Sequence, residues 1–274
     1  MTPPWTPELP VTAAVVRAVL HAWRPERSVV GLRRIGVGWD HAVWQCGDVV
    51  VRCPHQRGSL TLAAGRSGAL SWLAGRLPVP IPKPLFVAPP VGGHPGQCVV
   101  YQGIVGGMPA ACGLTLDDRH RAAPLLGRAL GVLHGLSLED ARKQGIQERG
   151  LPQDELRLRT TNGQLRATQL ANTRWAALSR RAVQGMEPPP QEGGERAVTH
   201  GDLHPGQLLF GDQGQLTGII DWDELRIGDP AMDLALVYAL LPAASRGAFW
   251  AAYGTPRCED RARHVALSVS LAIL

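Results

Sequence analysis

The chain has 274 residues, a formal net charge of +5 and 45% hydrophobic side chains, enough to bury the core of one large or two medium domains. It holds no run of about twenty apolar residues, and Met1-Thr2-Pro3-Pro4-Trp5 has neither the basic nor the apolar part of a signal peptide, which argues against a membrane span or a leader. Apart from Lys83 and Lys143 the positive charge is all arginine, scattered singly and in pairs without a basic run, which argues against a nucleic-acid footprint.

Cys46, Cys53, Cys98, Cys112 and Cys258 are odd in number and lack CxxC or metal-type spacing, so five reduced thiols in a cytoplasmic protein are expected.

In chain order, residues 11–23 predict an amphipathic helix. After Pro25 the pattern turns to short strands at Val29–Leu32, Ala42–Cys46 and Val49–Arg52, the last two joined by a Gly47-Asp48 turn. Between them lies Gly36-Val37-Gly38-Trp39-Asp40-His41-Ala42-Val43. It keeps Gly36, Gly38 and Val43 of the phosphate-covering pattern G-x-G-x-x-G-x-V and puts His41 at the third glycine. A two-glycine hairpin loop would look the same in isolation. Arg52 follows where a strand lysine would hold phosphates; a guanidinium can do so bidentately, although a solvent-facing strand arginine is the plainer explanation.

Residues 61–76 read as a helix without an acidic side chain, so the glutamate that would pair with the strand cation is missing. Pro78, Pro80, Pro82 and Pro84 impose an extended segment, Gln97–Gln102 a strand, and Gly103-Ile104-Val105-Gly106-Gly107 a hinge. Helical patterns then dominate: 117–136, 164–183, 230–241, 245–253 and 264–274, with a solvated loop at 187–195.

The densest chemistry follows a short strand at Ala197–Thr199. His200-Gly201-Asp202-Leu203-His204-Pro205-Gly206-Gln207 has the spacing of the protein-kinase catalytic loop, His then Asp two residues on, but with Gln where Asn stands five residues later. Asp202 suits a carboxylate that orients the attacking hydroxyl and takes its proton, although an Asp in a turn often only bonds its own backbone. Asp221 ends the apolar strand Leu216–Ile220. With the Gln207 carbonyl it supplies the hard oxygens that Mg²⁺ prefers, while a loop-bracing amide is the structural alternative for Gln207. Asp229, before Pro230, suits a helix cap, and Asp233 a brace on the catalytic loop. Seven acids between 199 and 234 (202, 212, 221, 223, 224, 229, 233) make this stretch locally anionic, which would suit a polycationic acceptor.

These segments together resemble the aminoglycoside phosphotransferase family: His200–Gln207, Ile220-Asp221-Trp222 and Gly228–Ala235, with Gly38-Trp39-Asp40, Val50-Val51-Arg52 and Leu77–Pro82 toward the N-terminus. The resemblance spans roughly residues 30–270. It implies an α+β, protein-kinase-like bilobal fold: a small antiparallel-sheet N-lobe at 1–102, a hinge at 103–107 and a larger, mostly helical C-lobe at 108–274. It further implies a cytoplasmic, Mg²⁺- and ATP-dependent kinase (GTP being possible) acting on a hydroxyl of a small molecule. The site would comprise Asp202 as base, Gln207 and Asp221 on the metal, and Gly36, Gly38, Trp39, His41, Arg52, Gln102 and Ile104 on the nucleotide. No nucleic-acid or membrane partner is implied. Gln207, Arg52 and the acid-free helix depart from the pattern, and they motivate the alternative of a catalytically weak nucleotide-binding protein with a regulatory role.

Overall fold

Thr12 starts the fold by accepting a hydrogen bond from Val15 N, which begins helix α1, Ala13–Trp23, in a computed structural model that describes residues 6–60, 63–149, 152–170, 172–184, 195–254 and 258–273. Eleven residues are too few for a stable isolated helix, so α1 depends on docking. Val15, Val16, Val19 and Leu20, spaced for one face, are all buried, at roughly 1.5–3 kcal/mol for each fully buried side chain.

The surface they cover is a five-stranded antiparallel sheet: β1 (Arg33–Val37), β2 (His41–Cys46), β3 (Val49–Pro54), β4 (Pro84–Ala88) and β5 (Cys98–Gln102), in the order β1-β2-β3-β5-β4. Alternation along β3 sends Val49, Val51 and Cys53 into the core with α1, and it leaves Val50 and Arg52 on the other face. Helix α2, Ala63–Leu73, lies between β3 and β4 in sequence.

Two expectations fail in this region. The strand expected at Val29–Leu32 begins instead at Arg33, because Gly31 turns the chain at φ 76° and leaves Val30 85% exposed. The five cysteines are not all reduced: Cys53 and Cys98 form a disulfide. The antiparallel β3–β5 register, which sets Arg52 opposite Val99, carries the next residues, Cys53 and Cys98, to a Cα separation of 4.4 Å.

A second compact unit begins at Val105 and includes Arg76–Val79; the first ends at Ile104. It opens with the short α3, Pro109–Cys112, and then α4, Leu116–His134, whose start is fixed by a capping box between Thr115 and Asp118. Next come α5 (Leu138–Lys143), α6 (Pro152–Gln169) and α7 (Ala176–Gln184). The single helix expected at 164–183 is therefore two, separated by a turn in which Thr173 Oγ1 donates to Leu170 O and receives Trp175 N. The expected 187–195 loop lies outside the described residues except for Glu195.

Strand β6 (Ala197–Thr199) pairs with β9 (Arg226–Gly228), and β7 (Leu208–Phe210) with β8 (Leu216–Ile219). Helices α8 (Ala231–Leu240), α9 (Ala243–Tyr253) and α10 (Glu259–Ile273) follow. Two glycines let α4 and α9 approach closely: a Cβ at Gly127 would sit 2.4 Å from Phe249 O, and one at Gly131 2.7 Å from Tyr253 O. No helix of the described residues is long and apolar enough to cross a membrane.

Candidate active site

The loop after β6 is held from three directions. From α8, the buried Asp233 carboxylate accepts His200 N at 2.7 Å and Gly201 N at 2.9 Å. It also accepts from His134 Nε2 at 3.1 Å, and His134 Nδ1 lies 2.9 Å from the Tyr253 hydroxyl. Four elements, α4, α8, α9 and the loop, thus meet in one buried polar chain. Burial alone would raise the Asp233 pKa, but the hydrogen bond and charge of His134, with His200 and the Gly201 N–H, hold it below the ordinary carboxylate value.

From β9, Arg226 Nη2 donates to Gly201 O, and Thr199 Oγ1 donates to Arg226 O. Gly201 itself has φ 87°, and a Cβ there would meet Glu224 O at 2.3 Å, so only glycine fits.

From β8, the buried His200 ring donates through Nε2 to Ile220 O at 2.9 Å, while its Nδ1 accepts Asp202 N at 3.4 Å. This tautomer follows from the hydrogen-bond network. The ring packs against Trp222 at 4.6 Å, and Trp222 Nε1 donates to Ile219 O.

The other backbone group of Ile220 is also taken: its N–H donates to Gln207 O at 2.8 Å. His200 and Gln207 therefore grip the residue directly before Asp221 by both of its peptide polar groups. Asp221 turns away in the left-handed region, φ 65° and ψ 58°. For a residue other than glycine such a backbone costs on the order of 1–3 kcal/mol and persists only where the surroundings impose it.

The hydrogen bonds of His200 and Gln207 to Ile220 thus set the loop that carries Asp202 and Gln207 beside the residue that precedes Asp221. Asp202 is exposed. Gln207 is 5% exposed, and its Oε1 is buried without a hydrogen-bond partner. An unpartnered buried acceptor costs about 1–3 kcal/mol, which a cation would offset. A carboxylate and an amide oxygen are hard donors, and Mg²⁺ takes one or two such protein ligands beside phosphates and water, so the residues fit that ion. His204 completes the loop by accepting Gly206 N at its Nδ1. Burial lowers its pKa more than the Asp202 and Asp221 carboxylates raise it, and its ring is neutral near pH 7.

Asp229 serves as the expected cap in effect: Oδ1 accepts Ala231 N at 2.9 Å, although Pro230 holds the cap position. The same carboxylate is paired with Arg261 Nε at 2.9 Å.

In the first unit, Gly36, Val43, Arg52 and Val99 form one row across β1, β2, β3 and β5. Gly36 and Arg52 therefore share a sheet face two strands apart, about 10 Å. A Cβ at Gly36 would meet nothing within 4 Å. The turn beyond it is closed by Gly38 N donating to His41 O at 2.8 Å, and Trp39 projects from it 61% exposed. His55, which sequence reasoning missed, clamps this turn: its backbone N donates to Asp40 O and its Nε2 lies 3.0 Å from Gly38 O. Gln102 and Ile104 close the unit, where Gln102 N donates to Lys83 O and Gly103 N to Asp48 O. His134 and Tyr253 were also missed, and no motif marks them.

The model of the family described as "Phosphotransferase enzyme family" matches residues 31–266. The GDP complex of wild-type aminoglycoside 2'-phosphotransferase-IIIa superposes with a TM-score of 0.71 at 21% identity, covering 92% of this chain and 86% of that one. Macrolide 2'-phosphotransferase MphH from Brachybacterium faecium, an apoenzyme, gives 0.66 at 25% identity, covering 94% and 89%. A curated relative, the uncharacterized protein YcbJ of Bacillus subtilis (strain 168), is 44% identical over 43 residues, 16% of this chain and 14% of its own length. The small antiparallel sheet followed by a mostly helical part is accordingly the kinase-like α+β fold that the sequence pointed to.

Proposed function

This chain belongs to the phosphotransferase enzyme family, and we propose that it moves the γ-phosphoryl group of ATP or GTP to a hydroxyl of a small molecule, an antibiotic of the aminoglycoside or macrolide type or a related metabolite. The observation that carries this reading is the grip on Ile220: the loop with Asp202 and Gln207 binds both peptide polar groups of the residue before Asp221, and Gln207 Oε1 is left buried and unpartnered.

In this reading the acceptor hydroxyl oxygen bonds to the γ-phosphorus and the bond from phosphorus to the β,γ-bridging oxygen breaks. The nucleoside diphosphate leaves, and Asp202 takes the hydroxyl proton. Gln207 and Asp221 would hold Mg²⁺, which when bound neutralises charge on the nucleotide phosphates. Arg52 and the Gly36–His41 turn are assigned to those phosphates, and Trp39, Gln102 and Ile104 to the rest of the nucleotide. Asp233, His134 and Tyr253 position the loop without touching substrate. The reaction is placed in the cytoplasm, where the nucleoside triphosphates are.

The test is nucleotide turnover with ATP and with GTP against a panel of hydroxyl-bearing antibiotics. Turnover that appears with Mg²⁺ and stops with a chelator is expected. Tight nucleotide binding without turnover across the panel would favour the second reading, a catalytically weak nucleotide-binding protein, for which the acid-free α2 and Arg52 speak.

A further inference from the structure

We infer that His55 is a positioning residue for the nucleotide: its ring holds the Gly36–His41 turn in the shape that receives the phosphates, so its loss weakens nucleotide binding without slowing transfer once nucleotide is bound. The inference rests on the phosphotransfer reading above, which assigns that turn to the phosphates.

The turn needs a clamp because its own sequence supplies little stiffness. Gly36 and Gly38 lack side chains, and glycine loses more conformational freedom on ordering than any other residue. A Cβ at Gly36 would meet nothing within 4 Å, and one at Gly38 would make only an ordinary contact with His41 O at 3.6 Å. Close packing does not demand these glycines, and the backbone at Gly36 is open to a ligand. Such a loop binds well when its order is in place beforehand, because ordering at the moment of binding subtracts from affinity.

His55 supplies that order from outside the turn. Its N–H donates to Asp40 O at 2.7 Å, and its ring donates through Nε2 to Gly38 O at 3.0 Å. One residue therefore holds the two carbonyls on either side of Trp39. A carbonyl oxygen turned toward a phosphate would repel it, and neither of these can turn without breaking its bond to His55.

The clamp is itself anchored. The His55 carbonyl accepts Glu8 N and Leu9 N, each at 3.0 Å, and the Glu8 carboxylate accepts Arg57 N at 2.8 Å. On the other side, Pro54 O accepts from His94 Nε2 at 2.8 Å, and Cys53 is bonded to Cys98. The His55 ring is 1% exposed, with Nδ1 buried and unpartnered. An aliphatic side chain would fill this space without an unsatisfied acceptor, so what histidine adds is the Nε2 donor.

The test measures Kd for ATP and for GTP with Mg²⁺ by titration calorimetry, together with kcat at saturating nucleotide. It compares the wild-type chain with His55→Leu, which removes the donor, and His55→Gln, whose amide nitrogen reaches about as far as Nε2. A third variant, Val16→Ala, opens a cavity in the α1 core of the same unit. In His55→Leu, Kd should rise about fivefold or more while kcat stays within about twofold. His55→Gln should bind within about twofold of wild type, and Val16→Ala should melt earlier yet bind as wild type does. Should His55→Leu not fold, His55→Asn, whose amide stops short of Gly38 O, takes its place. An unchanged Kd in the folded donor-less variant, a loss in His55→Gln as large as in that variant, or an equal loss in Val16→Ala would each overturn the inference and leave the phosphotransfer reading intact. Nucleotide binding without turnover would overturn that reading alone, and the Kd comparison would still decide the inference. A wild-type chain that binds neither nucleotide overturns both.

Discussion

Single atoms decide whether the loop around Ile220 can do chemistry. Gln207 offers its carbonyl oxygen on a side chain one methylene longer than asparagine, and that oxygen is buried without a partner. If it holds metal, Gln207→Asn keeps or improves activity by shortening the lever, while Gln207→Leu raises the Mg²⁺ needed for half-maximal turnover tenfold or more; a magnesium titration of each variant reads this directly. Asp221 separates backbone from carboxylate. Asn tolerates the left-handed conformation, so Asp221→Asn should unfold within about 0.5 kcal/mol of wild type and yet lose Mg²⁺-dependent turnover. Asp233 carries more of the fold: Asp233→Ala strands three donors in a buried site and should cost about 3–5 kcal/mol in denaturant unfolding. The pH signs differ between two groups. Asp233 has a lowered pKa, so its contribution is complete above the unfolded value of 3.8 and is lost as pH falls through the lower folded value. His204 is also lowered, from 6.5, so the folded state favours its neutral form, and stability declines as pH falls below about 6.5. A loss of melting temperature between pH 7 and 5 that His204→Gln flattens would be traced to His204, since the Asp233 contribution is complete and does not change in that window.

Elements differ in how openly the sequence announces them. The β2–β3 hairpin could be read because its alternation and its Gly47-Asp48 turn agree, and α1 because its apolar stripe has one period. Strand β1 could not: Val29 and Val30 are better strand formers than Arg33 and Arg34, but the turn at Gly31 and pairing with β2 override that preference. The polar chain Tyr253–His134–Asp233 was hidden for another reason. Its members lie up to 119 residues apart and meet only because Gly127 and Gly131 let α9 close on α4. The 200–207 loop was legible because its chemistry needs close spacing, which a single segment displays. Cys53 and Cys98, 45 residues apart, are paired by sheet register alone. A thiol titration in denaturant should find three free groups before reduction, Cys46, Cys112 and Cys258, and five afterwards. Five groups before reduction would show the β3–β5 bridge to be absent.

At the scale of the whole molecule, the family and the kinase-like fold follow from one dense motif segment and from a sheet-then-helices order, both visible in the sequence. The roles of the acids between 199 and 234 were not visible, because counting them along the chain cannot tell an open carboxylate from one that is bound to Arg261 or buried under the loop. Three departures, Gln207, Arg52 and the acid-free α2, bear on how fast the enzyme works, and the geometry around Ile220 bears on whether it works at all. The most direct measurement compares wild-type and Asp202→Asn chains for Mg²⁺-dependent phosphoryl transfer to the best acceptor, with nucleotide affinity measured alongside. The expected result is a loss of about 10²–10⁴ in kcat at unchanged nucleotide affinity. Equal turnover by the two chains would contradict a phosphotransferase built on Asp202.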